Sequence, residues 1–280
     1  MRVASFLFAS LVALAACQAA PVKPETAQVS GLAPAPAPPV AAPAPPAAAP
    51  SVAPPAPAAA PVVRPPPPPL PSATTPTPPR TETRHQEFLA VARAGNIDLL
   101  FVGDSITDWW RQDQRGKPEW DKAWAPLKAA NFGIAGDTTQ GVLWRMQNGE
   151  LDGFKAKTIV LMLGTNNLRR NEIADIAAGD AAIVAEFRKR QPQAKVLILG
   201  VFPRGAAATN DFRPMIKELN GHLAKLADNK QIFYLDIGDK FLAADGTLPA
   251  DIMPDGLHPN LKGYEIWSAA TVDKVKELMK

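Results

Sequence analysis

Residues 97–105 read Ile97-Asp-Leu-Leu-Phe-Val-Gly-Asp-Ser105, an apolar run that ends in three turn-forming residues. Near-continuous apolar runs of this kind are typical of parallel strands that are covered on both faces of a sheet. Four more such runs occur further along the chain, at residues 129–134, 158–163, 195–201 and 232–237. Segments with helical periodicity alternate with them, at residues 84–93, 138–148, 173–191, 212–227 and 262–279. The alternation predicts an α/β domain in which five parallel strands form the middle of a three-layer α/β/α sandwich.

Four polar segments stand where such a domain binds its ligands. In an open parallel sheet, ligands bind beyond the carboxyl ends of the strands. Three segments directly follow predicted strands and the fourth precedes the last helix: Gly103-Asp-Ser105, Asn131-Phe-Gly-Ile-Ala-Gly-Asp137, Gly164-Thr-Asn-Asn167 and Asp255-Gly-Leu-His258. We therefore expect these segments to meet at one edge of the sheet.

The first three segments also have a purely structural interpretation. The tripeptide Gly-Asp-Ser is common in turns, and Gly136 could be needed only for its backbone dihedral angles. Without a Cβ atom, the N–H of Gly136 could instead approach a substrate oxygen. The amide of Asn166 could donate a hydrogen bond into a site or merely bridge two loops. Asp137 or Thr138 could cap the helix that follows.

The fourth segment supplies a candidate general base. A histidine that moves protons needs a carboxylate to orient its ring and to stabilise the imidazolium, and Asp255 stands three residues before His258. The structural alternative is a surface Asp and His beside a turn. The chain has two other histidines. His85 lies at the edge of a proline-rich segment and His222 lies in a predicted helix, so His258 is the candidate base.

The order, spacing and placement of the four segments resemble the signature blocks of the SGNH (GDSL-like) hydrolase superfamily. More narrowly, residues 131–150, which read NFGIAGDTTQGVLWRMQNGE, resemble the catalytic subunits of the platelet-activating factor acetylhydrolase Ib type and their bacterial relatives. Residues 164–167 and Gly200-Val-Phe-Pro-Arg-Gly205 extend the similarity over nearly the whole domain. The resemblance implies a flavodoxin-like fold with a five-stranded parallel sheet. One departure is Ala135, where the relatives often carry another glycine.

By the same resemblance, Ser105 is the nucleophile, and Asp255 with His258 completes its catalytic triad. Gly136 and Asn166 then join the Ser105 N–H in an oxyanion hole. The implied activity is that of a serine esterase that works through an acyl-enzyme on short-chain, above all acetyl, esters of carbohydrates or similar polar compounds. Neither a metal nor an organic cofactor is implied. The alternatives are a lysophospholipase or thioesterase of the same fold, and a non-catalytic lipoprotein that binds envelope polymer.

Two tryptophans are candidates for a binding cleft or for the core, and two more are expected in the core alone. Trp109 and Trp110 closely follow Ser105 and could line a cleft as a platform for a sugar ring. Packing in the core is the interpretation that we favour for both. Trp144 and Trp267 lie in predicted helices and are expected in the core.

The N-terminus predicts export and lipidation. Residues 5–16 form an apolar run that is too short to span a bilayer but suits an export signal. The chain's single cysteine ends the sequence Leu14-Ala-Ala-Cys17, which resembles a bacterial lipobox. We therefore expect residues 1–16 to be a signal peptide and Cys17 to be lipidated, which anchors the protein to the bacterial cell envelope, on the periplasmic side of the outer membrane. A simple cleaved secretory signal is the alternative.

A proline-rich segment separates the predicted anchor from the domain. Of the 31 prolines, 23 fall between residues 21 and 79, and such a composition cannot bury a core. We expect residues 17–82 to be a disordered spacer and residues 83–280 to be the hydrolase domain. A docking site for a proline-binding partner is the less favoured interpretation.

The charge excludes one class of partner. The net charge is +3, but residues 84–280 hold 26 basic and 25 acidic residues. A domain so close to neutral lacks the electrostatic signature of nucleic-acid binding. We therefore expect an ester substrate and a membrane reached through the lipid as partners, and no nucleic acid.

Overall fold

The computed structural model describes residues 68–79 and 82–280. The predicted export signal at residues 1–16, the predicted lipidation site Cys17 and residues 18–67 of the predicted spacer lie outside this range. Within the described part of the chain, no helix has both the length and the apolar character that crossing a membrane requires.

The centre of the domain is a five-stranded sheet in which all strands are parallel. The strands are Leu99–Gly103 (β1), Ala129–Gly133 (β2), Thr158–Met162 (β3), Lys195–Leu199 (β4) and Ile232–Leu235 (β5). Their order across the sheet is β2-β1-β3-β4-β5. The strand β2 lies on one side of β1 and β3 lies on the other, so the connections after β1 and after β3 lead in opposite directions across the sheet. Ligands of such sheets bind at this switch point between β1 and β3. The five predicted strands are confirmed within a few residues at each end.

Helices and short 3₁₀ turns connect and cover the strands. The α-helices are Glu82–Ala94 (α1), Ser105–Asp108 (α2), Lys117–Ala123 (α3), Thr139–Gln147 (α4), Ile173–Arg190 (α5), Phe212–Ala224 (α6) and Leu261–Leu278 (α7). The 3₁₀ turns are Trp109–Arg111, Ala125–Leu127 and Gly238–Phe241. All five helices expected from periodicity are present, whereas α2 and α3 are too short for periodicity to reveal.

Side chains alternate between the two faces of each strand, and two cores result. Leu100 and Val102 of β1 belong to a core that also takes residues from α1, α4, α5 and α6. Leu99 and Phe101 belong to a second core, which is rich in aromatic rings and takes residues from α7. The strands β1 and β3 are buried along their whole length. This is the three-layer α/β/α sandwich expected from the sequence, and the continuous apolar runs are explained by the two covered faces.

Residues 68–79 pack against the domain. The sequence places them in the spacer, but the structure places them against the domain. The side chain of Ala73 is fully buried, and the Leu70 N–H donates to the carbonyl of Arg170 (3.2 Å). The proline-rich composition does not predict this packing, because the polar groups that bind the segment lie about 100 residues further along the chain.

Candidate active site

Ser105 stands at the junction of β1 and the one-turn helix α2. The preceding residue, Asp104, caps this helix: its side-chain Oδ1 accepts a hydrogen bond from the Ile106 N–H (2.9 Å). The Tyr264 hydroxyl on α7 donates to the Ile106 carbonyl (2.7 Å), and the Asn131 side-chain amide at β2 donates to the Thr107 carbonyl (2.9 Å). Bonds from two other elements therefore hold the turn that carries Ser105.

Two glycines allow this turn to lie directly on the ends of the strands. A Cβ atom on Gly103 would stand 2.5 Å from the carbonyl oxygen of Met162. A Cβ atom on Gly133 would stand 2.2 Å from the backbone nitrogen of Asp108. Both distances are well below van der Waals contact. The glycines at these strand ends therefore determine how closely α2 packs against the sheet.

Ser105, His258 and Asp255 form one hydrogen-bonded chain, although 153 positions separate the first two. The Ser105 Oγ lies 2.9 Å from His258 Nε2, and His258 Nδ1 lies 2.6 Å from Asp255 Oδ2. With a proton on Nδ1, the ring can accept the hydroxyl proton at Nε2. The structure thus brings together the three residues that the sequence predicts as a triad.

The loop before α7 sets the orientation of the Asp255 carboxylate. Its Oδ1 accepts hydrogen bonds from the backbone N–H groups of Leu257 (3.0 Å) and His258 (2.8 Å). Partial burial acts to raise the pKa of Asp255, but the bonds from the ring and backbone of His258 outweigh it, so the pKa lies below its usual value. Asp255 is therefore ionised at neutral pH and able to stabilise a charged His258 ring.

The two neighbouring tryptophans have different surroundings. The core interpretation holds for Trp110, which is fully buried. Trp109 is only partly buried and its ring centroid lies 3.9 Å from that of His258, with the Arg115 guanidinium 4.2 Å from the Trp109 ring centre. Trp109 therefore packs against the imidazole and restricts its position. Trp267 is fully buried as expected, whereas Trp144 is only partly buried.

Gly136 and Asn166 stand on neighbouring loops at the same end of the sheet. Gly136 has φ +78° with open space around the position that a Cβ atom would take. Glycine is therefore favoured at this position by the backbone conformation alone, since a Cβ atom would meet no neighbouring atom. The Asn166 amide donates one hydrogen bond to the Asp137 carbonyl (2.8 Å) and has a second N–H available. The bond ties the two loops together, so both interpretations of Asn166 are compatible with its position.

Sequence reasoning missed a buried ion cluster behind these loops. Arg145 on α4 is fully buried and binds Asp137 (Nε to Oδ2, 3.0 Å), Glu150 and the Phe132 carbonyl (Nη2 to O, 3.1 Å). Glu150 also contacts His85 (Oε1 to Nδ1, 2.7 Å). Burial of so many charged groups costs free energy unless they pair. The cluster anchors Asp137, whose carbonyl holds Asn166.

Asp104, next to Ser105, is a buried carboxyl group with one oxygen left unpaired. Its side chain is 0 % exposed, and its Oδ2 has no hydrogen-bond partner among the described residues. Burial, opposed in part by the bond from Ile106, raises the pKa of Asp104 to about 7, and the charge of Asp137 adds to the rise. The folded protein therefore keeps this proton at pH values where the unfolded chain has lost it.

We expect the free energy of unfolding to fall as the pH rises from about 4 to about 7. In that window the unfolded chain ionises Asp104 at its ordinary pKa of about 3.9 while the folded protein does not, so folding becomes less favourable, on the order of 2–4 kcal/mol in total. Urea unfolding at pH 4.5, 6 and 8 measures the slope. The Asp104→Asn variant keeps the helix cap and removes this titration, so its slope should be smaller. Equal slopes for both proteins would contradict the assignment.

Comparison with known proteins gives a consistent picture. The model of the GDSL-like lipase/acylhydrolase family matches residues 101–266. The platelet-activating factor acetylhydrolase IB subunit alpha2 of Rattus norvegicus is 41 % identical over 189 residues, which cover 66 % of this chain and 79 % of that protein. The human subunit alpha1 is 37 % identical over 181 residues, covering 64 % and 76 %.

Solved structures share the fold at lower sequence identity. A GDSL-like lipase from Bacteroides thetaiotaomicron superposes with a TM-score of 0.54 at 18 % identity and covers 69 % of this chain and 97 % of its own. An acetylxylan esterase from Geobacillus stearothermophilus superposes with a TM-score of 0.52 at 18 % identity, covering 65 % and 94 %. Both likenesses concern the fold alone.

Proposed function

Because the chain belongs to the GDSL-like lipase/acylhydrolase family and is a carboxylic ester hydrolase, we propose that it cleaves short-chain acyl esters with Ser105 as nucleophile. The single observation that carries the proposal is the contact of 2.9 Å between the Ser105 Oγ and His258 Nε2. A hydroxyl is a weak nucleophile at neutral pH and needs a base within hydrogen-bond distance. His258 is in that position, with Asp255 on its other nitrogen.

The proposed reaction has two halves. In the first, the Ser105 Oγ attacks the ester carbonyl carbon while His258 Nε2 takes its proton, and the protonated ring then gives that proton to the leaving alcohol. In the second, a water molecule attacks the acyl-enzyme with His258 again as base, which releases the acid and restores Ser105. Asp255 keeps its negative charge throughout and stabilises the imidazolium.

We assign the oxyanion hole to the backbone N–H groups of Ser105 and Gly136 and to the side-chain amide of Asn166. Such donors must be positioned before the reaction, because their contribution comes from dipoles that do not have to reorient. The bond from Asn166 to the Asp137 carbonyl fixes the amide plane and leaves one N–H for the oxyanion. The positive φ of Gly136 supports the assignment of its N–H to the same task.

For the substrate we propose acetyl or similarly short acyl esters of carbohydrates or other polar alcohols. The relatives with about 40 % identity are named acetylhydrolases, which supports a small acyl group. A lysophospholipase or a thioesterase would use the same triad, and the acyl length separates these from the proposed esterase.

A series of p-nitrophenyl esters from acetyl to octanoyl tests the substrate class. We expect kcat/KM to fall at least about tenfold between acetyl and hexanoyl, since a small acyl site discriminates by about 1–3 kcal/mol against added methylenes. Rates without enzyme are subtracted, and acetate release from acetylated xylo-oligosaccharides is measured alongside. A rate that rises with chain length would favour the lysophospholipase and contradict the acetyl-ester proposal.

We also propose that the enzyme works at the bacterial cell envelope, held on the periplasmic side of the outer membrane by a lipid on Cys17. The support is the sequence Leu14-Ala-Ala-Cys17 after an apolar run. Several acyl chains on one cysteine anchor a protein stably, because each buried CH₂ contributes about 0.8 kcal/mol. The proline-rich residues that follow Cys17 would then separate the hydrolase from the membrane.

A further inference from the structure

Residues 68–79, here called the strap, pack against α5 through specific contacts. The Ser72 Oγ donates to Oδ1 of Asp175 (2.7 Å), and the backbone N–H of Ala73 donates to Oδ2 (2.8 Å). The Ala73 side chain is 0 % exposed. A Cβ atom on Gly179 would lie 2.7 Å from the Ala73 carbonyl oxygen, so α5 has a glycine where the strap comes closest.

One carbonyl of the strap accepts two hydrogen bonds from the domain. The Pro71 oxygen accepts from Gln140 Nε2 on α4 (2.7 Å) and from Asn171 Nδ2 just before α5 (2.9 Å). These bonds orient both amide side chains. Without the strap, each amide would lose this acceptor and the restraint that it places on the side chain.

The same two amides hold Asn167, the residue next to the proposed oxyanion donor Asn166. The Asn167 side-chain nitrogen, which is buried, lies 2.9 Å from Gln140 Oε1 and 3.1 Å from Asn171 Oδ1. Its Oδ1 accepts from the Thr139 N–H (3.1 Å) at the start of α4. A continuous hydrogen-bonded network therefore runs from the strap to both loops that carry Gly136 and Asn166.

The far end of the strap faces the Gly136 loop directly. The Thr77 N–H donates to the Gln140 carbonyl (3.1 Å). Residues 77–79 of the strap and residues 134–138 of the loop line one pocket, together with Arg170. The strap is thus bonded to α4 directly after the Gly136 loop and lies across a pocket from that loop, while the Asn167 network connects the strap to the Asn166 loop.

We propose that the strap is a positioning element of the active site, which holds the Gly136 and Asn166 loops in the geometry of the oxyanion hole. The inference rests on the proposed function. Oxyanion donors act by being preorganised, so a small displacement of either loop weakens the stabilisation of the transition state. Loss of the strap should therefore lower kcat and leave KM nearly unchanged, since the donors bind the transition state more strongly than the ester.

The Ala73→Arg variant of the full chain tests this inference. An arginine side chain cannot occupy the buried position of Ala73, so the strap should detach from α5. We expect kcat for p-nitrophenyl acetate to fall about 100-fold, the loss that a displacement of about 1 Å can cause, with KM changed less than about twofold. Asp175→Ala, which removes the acceptor of Ser72 and Ala73, should act in the same direction.

The matched control is Thr75→Arg, which adds the same charge to an exposed position of the strap and should leave both constants unchanged. A synthetic peptide of residues 66–81, added to Ala73→Arg, should raise kcat towards the wild-type value, whereas the same peptide with Arg at position 73 should not. A role in folding alone would lower the melting temperature without this rescue.

Two further outcomes also overturn the inference. One is a kcat of Ala73→Arg within twofold of wild type, and the other is a rise of KM with kcat intact. Both leave the proposed function standing, because the wild-type chain still hydrolyses the ester. Failure of the proposed function has a different signature, since the wild-type protein would then lack esterase activity that depends on Ser105.

Discussion

Replacing Ser105 by alanine should lower kcat for p-nitrophenyl acetate by at least about 10⁴-fold, because loss of a triad nucleophile removes the covalent route entirely. The hydroxyl is within 2.9 Å of its base, so no rearrangement is needed for the wild-type reaction. The residual rate would come from water attack in the intact oxyanion hole. Steady-state kinetics with the uncatalysed rate subtracted measure the loss.

A fluorophosphonate probe gives the same prediction an independent readout. The probe labels an activated serine, so it should modify the wild-type protein and not Ser105→Ala. Ser268→Ala, which removes a buried serine of α7, is the matched control and should be labelled like wild type. A Ser105→Ala variant that retains most of the activity would end the proposed mechanism. A wild-type protein that is neither labelled nor active would favour the alternative of a non-catalytic binding lipoprotein.

Replacing Arg145 by alanine should lower the free energy of unfolding by about 3–5 kcal/mol, the usual cost of removing one partner from a buried ion pair. Arg145 is fully buried between Asp137 and Glu150. Its removal leaves two buried carboxylates without their shared partner. Urea unfolding at pH 7 measures the change. Activity should fall as well, because Asp137 carries the carbonyl that holds Asn166.

The Arg190→Ala variant is the matched control for this prediction. Arg190 also pairs with two carboxylates, Asp152 and Glu186, but at the surface, where ion pairs contribute about 0–1 kcal/mol. Adding Glu150→Gln to Arg145→Ala should restore part of the lost stability, since it removes one unpaired charge. A loss in Arg145→Ala no greater than in Arg190→Ala would show that the cluster contributes little.

The positions of the strands could be predicted because the central strands are covered on both faces. A residue run such as Leu99–Gly103 must then be apolar throughout, and this requirement is visible without knowing any neighbour. The place of Ser105 follows from the same run, since parallel strands present their carboxyl ends at one edge. Periodicity failed for α2 and α3 because helices of four and seven residues are too short to show a repeat.

The sequence by itself determined the fold class, and it indicated the edge of the sheet and the residues that we propose as the triad, because these depend on local pattern and on short motifs. Only the tertiary structure decided which distant polar groups meet. Glu150 of the buried cluster contacts His85, 65 positions away, and Ser72 of the strap donates to Asp175, more than 100 positions away along the chain. Such pairs produce no periodic pattern in the sequence, since the free energy of a buried hydrogen bond depends on contacts that only folding creates.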